Sequence, residues 1–294
     1  MSIFTGSGVA IVTPFTKEGI NYTSFEKLLE YQIKEGTDAI IVCGTTGEPS
    51  TMSVEEKVSV IQFAVEKVQG RIPVIAGTGG NNTKTVIELS QKAESLGVDA
   101  LLIVTPYYNK TTQKGLVEHF NAIADAVHLP IIIYNVPSRT GLNMTPTTLR
   151  ELAQHRNIQA MKEASGNITQ IVEMARICNG FIDIYSGNDD HVVPVLSVGG
   201  KGVISVVANI APKDMHNLVK AFLSGHIDES VKLQFKINTL VEVLFTEVNP
   251  IPIKTALNLI GFDVGELRLP LTSMSELNLT LLKKRLLEHG YKIQ

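Results

Sequence analysis

Residues 38–104 read DAIIVCGTTGEPSTMSVEEKVSVIQFAVEKVQGRIPVIAGTGGNNTKTVIELSQKAESLGVDALLIV, and this stretch decides the fold. It opens on an apolar run, Asp38–Cys43, and passes to a helical pattern headed by Ser53 and Glu56 and closed at Gly70. A second apolar run, Pro73–Gly77, leads to a helix headed by Asn82 and closed by Gly97, and a third run follows at Asp99–Val104. Ser53 with Glu56 has the spacing of a capping box, and glycine just past the last apolar position is a usual helix stop. The apolar runs are continuous rather than alternating, as parallel strands buried on both faces require. Short loops between strand, capped helix and strand favour right-handed βαβ crossovers.

Outward from this stretch the unit repeats. Further strands are expected at Gly8–Val12, Pro130–Asn135, Ile158–Glu163, Ile182–Ser186 and Gly202–Val207, which makes eight. A first helix fits Thr23 with Glu26 as a capping box ahead of Phe25, Leu28, Leu29 and Ile33, stopped by Gly36. Eight such units predict an α/β protein, a (β/α)8 TIM barrel, with an open doubly wound sheet as the alternative. After about Gly225 strand signals cease, and helices are expected over Asp228–Phe245, Pro252–Ile260 and Ser275–His289. The expected division is a catalytic barrel over 1–225 and an appended C-terminal helical element over 226–294.

Composition supports a globular chain. Of 294 residues 44% are hydrophobic and 19% charged, and 26 basic against 29 acidic residues give a net charge of −3. That balance gives no reason to expect nucleic acid as a partner. No apolar run approaches the roughly 20 residues of a membrane span, so no membrane association is expected. The start, Met-Ser-Ile-Phe-Thr-Gly, lacks the regions of a signal peptide, and a cytoplasmic location is expected. Cys43 and Cys178 read as buried free thiols.

In a barrel, chemistry belongs at the C-terminal ends of the strands. Gly44-Thr45-Thr46-Gly47-Glu48 follows strand 2, and its main-chain N–H groups suit an anion, although such turns are common without one. On strand 6, alternation from Lys162 through Ala160 to Ile158 points the lysine inward. A buried lysine loses its proton more readily and can attack a carbonyl; a lysine at a strand end can also reach back to water. Tyr134 ends the neighbouring strand 5 and could move protons, or simply line the rim. Arg139, in the loop after strand 5, offers a fork for a carboxylate or is an ordinary surface arginine. Gly199-Gly200-Lys201-Gly202 resembles a phosphate cradle but precedes strand 8, at the wrong end of the barrel. Asp189-Asp190-His191 reads as acidic residues opening a helix, and the scattered histidines give no metal spacing. Neither a metal nor an organic cofactor is expected.

Four motifs taken together carry a resemblance: Gly44–Glu48, Thr105-Pro106-Tyr107-Tyr108, Tyr134–Gly141 and Lys162-Glu163-Ala164-Ser165-Gly166. In this order, at the ends of strands 2, 4, 5 and 6, they resemble the dihydrodipicolinate synthase family, within the class I pyruvate-dependent aldolases and lyases. The resemblance implies a lyase that joins pyruvate to aspartate semialdehyde through a Schiff base on Lys162, giving 4-hydroxy-tetrahydrodipicolinate on the diaminopimelate and lysine route. It implies a hydroxyl relay of Thr45, Tyr134 and Tyr108, the last reaching in from a neighbouring subunit. It places the pyruvate carboxylate on the N–H groups of Thr45 and Thr46 and the aldehyde's carboxylate on Arg139, with Gly187 and Ile204 beside the nucleophile. It also implies a homotetramer, a dimer of dimers. Alternatives are a Schiff-base lyase of another 2-keto acid, such as an N-acetylneuraminate lyase or a keto-sugar-acid aldolase, and a barrel that binds a keto acid without catalysis. Lysine-inhibited relatives carry histidines and acidic groups after the Gly44–Glu48 loop and after strand 3. Here Pro49, Val54, Lys57, Asn81 and Thr85 stand in those regions, which implies weak lysine inhibition or none.

Overall fold

The computed structural model describes residues 2–294. Eight parallel strands close in sequence order: β1 (Gly6–Ala10), β2 (Ala39–Val42), β3 (Val74–Gly77), β4 (Ala100–Val104), β5 (Ile131–Asn135), β6 (Ile158–Glu163), β7 (Asp183–Ser186) and β8 (Gly202–Ser205). The helices around them are α1 (Tyr22–Lys34), α2 (Val54–Val68), α3 (Thr83–Ser95), α4 (Gln113–Asp125), α5 (Pro137–Thr140), α6 (Pro146–Leu152), α7 (Ile168–Ile177), α8 (Val192–Ser197) and α9 (Pro212–Leu223). Three more follow: α10 (Ile227–Leu244), α11 (Ile251–Leu259) and α12 (Glu276–Glu288). The chain is therefore a closed (β/α)8 barrel with added C-terminal helices, not an open sheet. Closure depends on a close approach of β1 and β8. Gly6 pairs with Gly202, and a Cβ at Gly202 would strike the Gly6 carbonyl.

Two strand ends differ from expectation. Val12 leaves the ladder because its N–H donates to Asn209 Oδ1 at 3.1 Å, so β1 sits two residues earlier. β8 stops at Ser205 because the next two N–H groups, of Val206 and Val207, donate to Asp189. Helix starts follow the capping chemistry. Ser53 and Glu56 complete a capping box at α2, and the Asn82 side chain caps α3. At α1 the cap is Asn21, not Thr23: Asn21 Oδ1 accepts from Ser24 N at 3.1 Å, and Glu26 pairs with Lys67 of α2. Asparagine is at least as good a cap as threonine, so the earlier residue wins.

Burial falls into two layers. Phe4, Ile41, Ile75, Leu102, Ile132, Ala160, Tyr185 and Ile204 fill the barrel, and a larger cluster packs strands against helices. Phe4 stacks on Tyr185 with ring centroids 4.3 Å apart, and the Tyr185 hydroxyl donates to the Phe4 carbonyl at 2.6 Å. The alternation expected on β6 holds for Ala160 but not for Ile158, which lies in the outer layer. A register shift opposite Ile131 and Ile132 inserts one residue and reverses the parity there. Cys43 and Cys178 are buried free thiols.

The α1 cap gives a direct test. Asn21→Ala should lower unfolding free energy by about 0.5–2 kcal/mol, while Thr23→Ala, on the exposed first turn, should change it by less than about 0.5 kcal/mol in urea unfolding.

Candidate active site

The register of β5 and β6 builds the centre. Tyr134 lies directly beside Lys162 across the ladder, and the next pair is Asn135 with Glu163. Because successive side chains alternate, one pair faces the barrel and the next faces away. Tyr134 shares the barrel interior with Ala160, and Lys162, two residues beyond Ala160, lies with its Nζ 4.3 Å from the centre of the Tyr134 ring. Outside, Glu163 accepts from Asn135 Nδ2 at 2.9 Å and from Ser165 N at 2.8 Å, and Asn135 Oδ1 accepts from Met144 N at 3.0 Å. The outer pair pins the strand ends that present the inner pair.

Lys162 is 5% exposed and forms no ion pair among the described residues. Burial pulls its pKa down to about 8; Asp189 pushes it back up and the Arg139 charge lowers it further. Burial pushes the Tyr134 phenol up, with Arg139 and the adjacent Thr45 hydroxyl opposing. A lysine so placed is a neutral nucleophile for part of the population at neutral pH, and the phenol stays protonated as a donor.

Lys162 and Tyr134 line a cavity of about 350 Å³ with Thr45, Thr46, Arg139 and Gly187. The turn after β2 is a single 3₁₀ turn, Thr45–Gly47, flanked by two residues with left-handed backbone, Cys43 (φ +57) and Glu48 (φ +56). Gly47 N donates to Gly44 O and Glu48 N to Thr45 O, while the N–H groups of Thr45 and Thr46 donate to no group among the described residues. Two such N–H groups at one wall of the cavity can hold a carboxylate. Arg139, on α5, is exposed and held by the Asn249 carbonyl at 3.2 Å. Gly187 lets β7 pass close to β6, since a Cβ there would meet the Ala164 Cβ at 2.6 Å.

Two expected residues stand apart. Ile204 is fully buried inside the barrel and does not line this cavity; Val206, two residues on, does. Tyr108 lies on the loop after β4, 91% exposed and with φ +67, away from its own chain's cavity. Its neighbour Tyr107 lines an adjoining lobe that shares Thr45, Tyr134 and Arg139 with the first.

Other residues at the site escape local sequence reading. Asp189 does not merely open a helix: it sits buried on the cavity wall, and its Oδ2 accepts from Val206 N and Val207 N at 3.0 and 3.1 Å. Burial pushes its carboxyl up, with Ser205, these two N–H groups and Lys162 opposing. Asn249 comes from the segment between α10 and α11, more than 80 residues past Lys162 in the chain, and its Nδ2 donates to Thr46 Oγ1 at 3.0 Å. The only advance signal for Asp189 was its place just after a strand end.

Residues 3–289 match the model of the dihydrodipicolinate synthetase family. The chain is 57% identical over 295 residues to a 4-hydroxy-tetrahydrodipicolinate synthase of Caldicellulosiruptor bescii, covering all of both chains. It is 59% identical to one of Thermoanaerobacter pseudethanolicus over 99% of this chain and 98% of the other. The crystal structure of dihydrodipicolinate synthase from Aquifex aeolicus superposes with a TM-score of 0.97 at 43% identity, covering 99% and 100% of the two chains. The closed (β/α)8 barrel and these full-length relatives place the chain in a class of lyases. Within that class, this chain belongs to the dihydrodipicolinate synthetase family.

The lysine makes the site's pH dependence predictable. The ammonium form is inert, so capture of a small 2-keto acid, followed by borohydride trapping between about pH 6 and pH 10, should speed up with pH and level off above about 8. A rate still climbing towards the ordinary lysine value of 10.5 would show that burial does not set this group.

Proposed function

We propose that the chain condenses pyruvate with aspartate semialdehyde to 4-hydroxy-tetrahydrodipicolinate, the step that commits carbon to diaminopimelate and lysine. The observation that carries the reading is the buried Lys162 against Tyr134, in a cavity whose wall includes Thr45, Thr46 and Arg139. Full-length identity to enzymes of that name supports it.

In this reading the neutral Lys162 amine attacks the pyruvate keto carbon, and water leaves as the iminium forms. The iminium draws electrons from the adjacent methyl group, which loses a proton and becomes the enamine carbon. That carbon attacks the aldehyde carbon of aspartate semialdehyde, and the aldehyde oxygen takes up a proton. The amino group of the joined product then displaces Lys162 from the iminium carbon, closing the ring and restoring the amine. Every proton in the sequence can pass through Tyr134 and Thr45, with Tyr108 of a second copy completing the relay. The carboxylate of pyruvate rests on the Thr45 and Thr46 N–H groups, and Arg139 takes that of the aldehyde. Gly187 flanks the nucleophile, and Ile204 acts from below through packing. No metal or organic cofactor takes part in this sequence of steps.

The exposed, left-handed Tyr108 supports an assembly in which a neighbour covers it, and we take the working form to be a homotetramer, a dimer of dimers. No helix among the described residues is long and apolar enough to cross a membrane, and a cytoplasmic location fits the substrates. The barrel over 1–225 carries the reacting groups, and the element over 226–294 adds Asn249 to the site.

The deciding experiment is borohydride trapping with pyruvate and mass mapping of the product. A stable adduct should appear at Lys162 and vanish in Lys162→Ala; an adduct on another lysine overturns the assignment. In Tyr134→Phe turnover should fall about 10²- to 10⁴-fold with the fold retained, the range for a lost acid–base group.

Regulation follows from charge. Lys57 lines the adjoining lobe, Asn81 donates to the Tyr107 carbonyl at 3.2 Å, and the Thr85 hydroxyl donates to the Asn82 carbonyl at 3.0 Å. A cation there repels a lysine ammonium, and neither partner supplies a negative charge. Titration with lysine at saturating pyruvate should leave activity almost unchanged; strong inhibition below about 1 mM would refute this, since such affinity needs about 4 kcal/mol of binding.

A further inference from the structure

Glu48 closes the 3₁₀ turn with a left-handed backbone and a side chain sealed from water. Lys254 of α11 donates to its Oε1 at 2.8 Å and to the Glu266 carbonyl at 2.8 Å. The Arg268 N–H donates to Oε2 at 3.1 Å. The Lys254 and Glu48 side chains are 1% and 0% exposed, so this is a fully buried ion pair joining the C-terminal helices to the turn after β2. Nothing in the proposed chemistry uses either charge. Burying two charges costs about as much as their attraction returns, so such a pair is poorly explained as added stability. It is well explained as fixing geometry. Left-handed backbone at a residue with a side chain persists only where the surroundings hold it, and here the holding groups come from beyond residue 250. The link leading into α11 grips the turn again through Asn249 and Thr46.

We propose that the Lys254–Glu48 pair is the positioning device of the carboxylate-binding turn, aiming the Thr45 and Thr46 N–H groups into the cavity. The C-terminal helices thereby complete the substrate site. This deepens the functional reading above and rests on it, because it takes the turn to be where the pyruvate carboxylate sits. Lys254 and Glu48 are positioning residues and touch no reacting atom.

The full-length chain and four variants decide it: Lys254→Met, Glu48→Gln, the double variant, and Glu56→Gln. Glu56 is a control, because it binds the Arg268 guanidinium at 2.8 and 2.6 Å and so tethers the same C-terminal segment to α2 instead of to the turn. Each protein is titrated with pyruvate in short borohydride pulses, and the Lys162 adduct is quantified per folded molecule. Lys254→Met and Glu48→Gln should each raise the half-saturating pyruvate concentration by about 10-fold or more, the effect of a lost charged hydrogen bond, with the plateau yield unchanged. The double variant should be no weaker than the worse single one, since both remove the same interaction. Glu56→Gln should keep wild-type half-saturation. A purely structural pair would lower the folded fraction in the single variants without moving half-saturation, and that result overturns the proposal, as do single effects that multiply in the double variant. Should Lys254→Met not fold, Glu48→Gln decides alone: a raised half-saturation supports the pair, an unchanged one refutes it. Failure of the functional reading has a different signature, the absence of any Lys162 adduct in the wild-type chain, and the proposal falls with it.

Discussion

The site depends on one constraint, the side-by-side register of Tyr134 and Lys162 on adjacent parallel strands. Parallel pairing fixes which residues stand abreast, and strand alternation sends both side chains to the same side of the sheet. In a closed barrel that side is the interior, where no solvent shell stabilises an ammonium. The lysine's lowered pKa is thus a consequence of pairing and closure rather than of any special partner. Moving β6 by one residue would exchange Lys162 for Glu163, which is why the next pair, Asn135 with Glu163, matters as a lock on the outside.

That lock explains the shape of the surrounding sequence. Val136 and Pro137 turn the chain straight into α5, which carries Arg139 to the rim. After β6, Ser165 folds back so that its N–H meets Glu163, and Gly187 gives β7 room to approach Ala164. Each local feature serves the same end: two strands are held in register while their C-terminal tips open around the cavity.

How much of this could be read from the chain follows from the range of the interactions. The eight strands and their helices were legible because continuous apolar runs, capping pairs and terminal glycines are signals within a dozen residues. Lys162, Tyr134, Thr45, Thr46, Arg139 and Gly187 lie where barrel geometry brings strand ends together, so position and family resemblance reached them. Local rules failed where two signals competed, as at Asn21 against Thr23, and where parity broke, as at Ile158 opposite the shift between Ile131 and Ile132. They could not reach Asp189, whose carboxylate serves the strand after its own, or Asn249, whose partner Thr46 lies 203 residues away. No periodicity records a contact of that span.

The two buried lysines show how one residue type serves opposite ends. Lys254 is 1% exposed, yet it faces a carboxylate at 2.8 Å, a carbonyl at 2.8 Å and the Phe15 ring at 4.4 Å. Burial lowers its pKa, but Glu48 opposes that twice, by charge and by hydrogen bond. Held by these partners and sealed from solvent, the Lys254 amine has no open space from which to attack. Lys162, nearly as buried, lacks any carboxylate within bonding distance; Asp189 acts only through space, its Oδ2 already committed to two main-chain N–H groups. An aromatic face stabilises a cation less than a bonded carboxylate does, so the Tyr134 ring leaves Lys162 near the point where amine and ammonium coexist. Burial alone, then, makes neither a nucleophile nor a strut. The distinction lies in whether the fold supplies a bonded counter-charge: at Lys254 it does and the charge becomes structure, at Lys162 it withholds one and burial draws the pKa down to about 8.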